Sequence, residues 1–194
     1  MKKVFLVILS IISLVVAFSA ILFFRYNSWK NDFLSKNNDI SCFSDISEND
    51  NSENISKKIK NFVLSSSDTY LEFSIDETLS FLHNDVKVSE NMNFEDICIN
   101  PNRGEWLVYL DTKVENFDIP WIKLNIIKDD RETSELYVKD ISLGDIKIPD
   151  IIGKKIIDEI NRGISDGILI VNENNFLGKD IKNIELLNDG VVIR

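Results

Sequence analysis

The apolar pattern changes period three times along this chain. From Val4 to Phe24 it is unbroken: VFLVILSIISLVVAFSAILFF, twenty-one residues without a charge, proline or glycine. At about 1.5 Å per helical residue, such a run spans the roughly 30 Å hydrocarbon layer of a bilayer. Past Ser56 the pattern becomes that of a folded domain. Asp68 to Phe73 alternates as a strand, Ser74-Ile75-Asp76-Glu77 has capping-box spacing, and Ile75, Leu79 and Leu82 share one face of a short helix ending near Asn84. Strand-like alternation follows in Phe94–Asn100, Trp106–Asp111, Trp121–Ile126 and Glu135–Lys139, with connections short enough for an antiparallel meander. From Pro149-Asp150 to about Val171 the period is helical again. Ile152, Ile156, Ile160, Ile164 and Ile168 recur every fourth residue, thickened by Ile151 and Ile157. Gly163 and Gly167 beside that stripe suggest close approach of another backbone. Asn188-Asp189-Gly190 between two apolar runs closes a hairpin.

These elements predict an α+β fold, a curved antiparallel sheet wrapped on one long apolar helix and preceded by a transmembrane helix. The chain divides into a cytoplasmic N-terminus (1–3), a signal anchor (4–24), a stalk (25–57) and an extracytoplasmic domain (58–194). Lys2 and Lys3 favour a cytoplasmic N-terminus, and Tyr26 and Trp29, with Arg25 and Lys30, suit an interfacial belt on the far side. A signal peptide cleaved near Ala20 is the rival, since Ala17-Phe18-Ser19 has small residues at peptidase spacing. However, Ile21-Leu22-Phe23-Phe24 continues the apolar run beyond the cleavage point. Asn37 to Ser56, dominated by Asn, Asp, Ser and Glu, reads as a flexible spacer.

Charge sharpens this division. The net charge is -10, but four of the 22 basic residues lie at or before Lys30 and all 32 acidic residues lie beyond it. The remainder carries about -14 and repels nucleic acid, so nucleic-acid binding is not expected. Cys42 and Cys98, the only cysteines, either pair as a disulfide in an oxidising compartment or stay apart as small buried residues. With His83 as the sole histidine, they make no tetrahedral zinc site without carboxylates. A hydrolytic triad has no G-x-S-x-G serine, and no two glycines lie closer than four residues apart, so phosphate-loop spacing is absent as well. Asp129-Asp130 with Glu132 marks a hairpin turn. No catalytic residue, metal or cofactor is expected, and the chain does not read as an enzyme.

Three segments carry a resemblance: Phe73-Ser74-Ile75-Asp76-Glu77-Thr78-Leu79, Leu143-Gly144-Asp145-Ile146-Lys147-Ile148-Pro149, and Ile184-Glu185-Leu186-Leu187-Asn188-Asp189-Gly190. With the order of elements from Ser65 to Arg194, they resemble the YpmS-like anchored proteins of Gram-positive bacteria and, more distantly, TULIP-type lipid-binding domains. That resemblance implies a curved sheet enclosing a lipid-sized groove.

Two functional readings follow. In the first, the domain binds lipid or another apolar ligand at the membrane surface. The groove lies between Ile152, Ile156, Ile160 and Ile164 of the helix and Trp106, Val108, Leu110, Ile122, Leu124 and Ile126 of the sheet, a set without a charged member. In the second, the same residues form a fully packed core, and the domain is a scaffolding module for envelope proteins.

Overall fold

The computed structural model describes residues 2–36, 40–46, 51–65, 70–85, 92–114, 117–128, 135–174, 177 and 180–194. The apolar run forms the first part of a 35-residue helix, α1 (Lys2–Lys36). A two-residue strand, β1 (Ser41–Cys42), leads through a 3-10 turn to α2 (Asn51–Leu64). Next come β2 (Leu71–Ser74), α3 (Ile75–Asp85), β3 (Met92–Asn102), β4 (Glu105–Val114), β5 (Phe117–Lys128), β6 (Leu136–Leu143) and β7 (Ile146–Lys147). The long helix α4 (Asp150–Glu173) precedes a final pair, β8 (Ile184–Leu186) and β9 (Gly190–Ile193).

The expected meander is present, and β1 and β7 extend it into a six-stranded antiparallel sheet of order β1-β3-β4-β5-β6-β7. The C-terminal hairpin does not join it. It pairs with β2 in a separate sheet of order β2-β9-β8. The fold is therefore α+β with two sheets instead of one. Gly190 permits this pairing: a Cβ there would fall 2.0 Å from the Phe73 carbonyl oxygen, so only glycine lets β9 approach β2 this closely.

The start of α3 follows its sequence signature. Ser74 N–H donates to Glu77 Oε2 (2.9 Å) and Glu77 N–H to Ser74 Oγ (3.2 Å), the reciprocal bonds of a capping box. Glu77 is buried, and Lys58 of α2 lies 2.6 Å from the same Oε2, so the cap also ties α2 to α3.

Where it is described, the Asn37–Ser56 stretch that composition reads as a flexible spacer is folded. Its described residues are 40–46 and 51–56, the latter forming the first turns of α2. Ile55 and Phe62, seven apart on α2, are both buried, and Phe43 and Ile46 pack on the main core. A few apolar residues at helical spacing outweigh the polar majority, because the core is formed elsewhere and they only dock on it. Asp68-Thr69 of the first predicted strand, and the Asp129-Asp130 turn with Glu132, lie outside the described residues.

Candidate functional site

The ten predicted groove residues divide between a core and its margin. In the sheet, Ile99, Val108, Leu124 and Ile141 face one another across four strands and are all buried. Beside them run Trp106, Ile126 and Val138 on one side, and Ile97, Leu110 and Ile122 on the other. Trp106 Nε1 donates to the Leu187 carbonyl (2.8 Å), which lets a polar atom enter this interior. Ile160 and Ile164 pack on the cluster with Ile157, as do Ile75 and Leu79 of α3 and Leu186 of β8.

Ile152 and Ile156 do not enter it. They are 56% and 38% exposed, against an expectation of burial for Ile156. A strict four-residue repeat advances about 400° per step on an α-helix and so winds round it by about 40° each time. Over three steps the stripe turns through about 120°, which carries its early members off the narrower line that meets the sheet. The inward line is Gly153, Ile157, Ile160 and Ile164. Gly163 and Gly167 fall off that line too, and a Cβ on either would meet nothing within 4 Å, so close packing is not the reason for them.

α4 lies along β6. Asn161 accepts from Val138 N–H (2.6 Å) and donates to its carbonyl (3.1 Å), satisfying backbone that the two-residue β7 leaves unpaired. Between β6, β7 and the first turns of α4 is an open cleft of about 350 Å³. Lys139, Asp140, Lys147, Asp150 and Lys154 line it with Ile141, Ile148 and Ile157. It is charged, and it lies beside the predicted groove and not within it.

The opposite sheet face holds the feature that sequence reading missed. α1 does not stop at the end of its apolar run. It continues across the sheet, and Tyr26, Trp29 and Phe33 pack with Cys98, Tyr109, Trp121 and Leu107 in a second core. Arg25 Nε lies 3.0 Å from Asp145 Oδ2, in the β6–β7 turn. The Tyr26 hydroxyl accepts from Trp121 N–H on β5 (2.9 Å). Trp29 covers Gly144 so closely that a Cβ there would fall 2.5 Å from its ring. Phe33 is 7% exposed, with ring centroids 4.5 Å from Tyr109, 5.0 Å from Trp29 and 5.2 Å from Trp121. The spacing of Tyr26, Trp29 and Phe33 was the available signal, since positions i, i+3 and i+7 share one helix face.

Burial shifts two titrating groups under α1. It raises the Tyr109 phenol above its usual value. It also holds the Asp111 carboxyl above the ordinary carboxylate range, with Lys30 of α1 opposing and Asp96, Glu95 and Asp118 adding to the rise.

Cys42 and Cys98, opposite one another in β1 and β3, form a disulfide. With Asp96 they are the one close grouping of metal-ligand residue types among the described residues. Their thiols are oxidised, and the Asp96 carboxylate accepts from Ser44 N–H and Oγ and from Ile97 N–H, so the grouping clamps the 3-10 turn onto β3. His83 stacks on Phe43 with centroids 3.8 Å apart and is half-buried.

Among the described residues, Leu9–Phe33 is the one helix long and apolar enough to cross a membrane. Comparison with protein-family models, characterised proteins and solved structures gives no match to this chain, so the YpmS-like and TULIP-type resemblance gains no support from them.

Proposed function

We propose that this chain is a membrane-tethered, non-catalytic interaction module of a cell envelope, its domain held outside the cytoplasm in a fixed pose against the bilayer. The observation that carries this reading is the continuity of α1. One helix contains the apolar span and then docks through Tyr26, Trp29 and Phe33 on the sheet. A ligand carrier on a loose stalk needs no such contact, whereas a scaffold gains from a set height and orientation. Lys2 and Lys3 favour the orientation with the N-terminus inside. The disulfide fits an oxidising compartment, as expected on the outer side. Close burial of the Ile99–Val108–Leu124–Ile141 row favours a packed core over a ligand cavity.

A second reading, lipid or another apolar ligand held between α4 and the sheet, is favoured by the exposure of Ile152 and Ile156 beside that core. Photo-crosslinking in native membranes separates the two. Probes go at the exposed Leu64 and Phe81 and at Ile152 and Ile156. A scaffold gives discrete protein adducts at one of these surfaces. Lipid retained in native mass spectrometry after detergent extraction, with no protein adduct at any probe, overturns it in favour of the second reading. Protease added to spheroplasts tests the orientation, and full protection of the domain refutes it.

A further inference from the structure

We infer that the corner formed by the β6–β7 turn, β7 and the first turn of α4 is a second contact with the bilayer. Ile151 and Ile152 enter the interface, and Lys147 and Lys154 meet lipid phosphates. The inference rests on α1 being a retained membrane span.

The order in which α1 crosses the sheet fixes which edge faces the membrane. Leaving the apolar run, Arg25 bonds Asp145 of the β6–β7 turn and Tyr26 meets Trp121 of β5, Trp29 lies over Gly144 and Tyr109 of β4, and Phe33 closes on the cluster of Tyr109, Trp121 and Cys98 of β3. The β6–β7 edge is therefore nearest the bilayer, and the β3–β1 edge farthest from it. Depth follows from the helix rise. Arg25 is the first residue after the apolar run, about 1.5 Å beyond it along the axis. The headgroup layer adds roughly 5–8 Å on each side of the hydrocarbon. Asp145, bound to Arg25, thus sits at headgroup level.

β7 and α4 continue from that turn, and α4 stays on β6, the same edge. At its first turn Ile151 is 84% exposed, the most exposed large apolar side chain among the described residues, and Ile152 is 56% exposed. Beside them the cleft gathers Lys139, Lys147 and Lys154 against Asp140 and Asp150, in a domain that is otherwise strongly acidic. Lys147 pairs with Asp150 at 3.4 Å. Apolar tips flanked by lysines, whose methylene stems reach along apolar surface to place their charge among phosphates, are the composition of an interfacial anchor.

The test uses the full chain in lipid nanodiscs. With Cys42 and Cys98 in their disulfide, Ile151→Cys supplies one thiol for a polarity-sensitive fluorophore, and Glu95→Cys, on β3 at the far edge, supplies the control. The expected result is blue-shifted emission at position 151, quenched by headgroup-nitroxide lipids, with neither effect at position 95. Quenching should be stronger in discs containing phosphatidylglycerol than in phosphatidylcholine alone, and Lys147→Gln/Lys154→Gln should abolish that difference. Solvent-like emission at both positions overturns the inference. A blue shift without quenching also overturns it, by showing a protein partner or second copy there. A chain that leaves the disc refutes the anchor itself, a result distinct from an anchored chain whose position 151 stays in water.

Discussion

Replacing Phe33 with Ala removes the ring at the centre of the contact between α1 and the sheet. The ring is 7% exposed and touches three others with centroids within 5.2 Å. Phe-to-Ala changes at packed sites cost about 3–5 kcal/mol, combining lost transfer energy with the cavity left behind. At 1.4 kcal/mol per tenfold, the docked state is disfavoured by roughly a hundredfold to a few thousandfold. The cost falls on docking and not on the domain as a whole, because the main core contains no residue of α1. Hydrogen exchange on the full chain in nanodiscs reads this directly. Amides of residues 26–36 should lose protection by about that factor, since a short helical extension frays once its packing is gone. Amides of β3, β4 and β5 should keep theirs. Ser35→Ala, on the exposed side of the helix, should change neither. Unchanged protection at 26–36 would show that the aromatic contact does not hold the helix, and the fixed-pose reading would fail. Equal loss in the sheet would show one cooperative unit instead of a docked helix.

Three further outcomes are expected. Ile160→Ala should cost about 2–5 kcal/mol in chemical denaturation, and Ile156→Ala well under half as much, because only Ile160 packs on the core; equal costs would contradict the helical phase. Glu77→Ala should destabilise by about 1–2 kcal/mol, since it removes the cap bond to Ser74 and leaves Lys58 without the carboxylate 2.6 Å away. Asp111→Asn should raise Tm at pH 7. Burial lifts the folded-state pKa of Asp111, so its charge opposes folding above that pKa, and the penalty fades as pH falls through it toward the ordinary value. The gain should vanish near pH 4, and an equal gain at all pH values would rule out titration as its source.

The parts legible in the sequence are those fixed by local physics. The capping box at Ser74, the meander and the long helix each follow from side-chain period or from a turn, and each stands where expected. What escaped depends on partners distant in sequence. Nothing near β9 states that it pairs with β2 more than a hundred residues earlier; the Gly190–Phe73 approach appears only in three dimensions. The isoleucine repeat misled for a local reason, because four residues overshoot a helical turn and so carried Ile152 and Ile156 out of the core. Tyr26, Trp29 and Phe33 were masked by the run that precedes them. Beside an apolar span, aromatic residues read as interfacial, and the same side chains serve to pack a sheet.

The disulfide has a mechanical consequence. Cys42 follows α1 by six residues, and its partner Cys98 lies in β3, inside the meander. Tension applied along the chain from α1 therefore bypasses, on the covalent path, the 56-residue separation between them and enters the sheet through β3. α2, β2 and α3 lie in that interval, so the covalent path from α1 to the C-terminus omits them, and β2 meets load only through its ladder with β9. At about 3.3–3.6 Å per extended residue, the bridged interval withholds roughly 190 Å of chain from stretching. Reduction would return that interval to the covalent load path, so that a force able to unfold α2, β2 and α3 would lengthen the tether by that much.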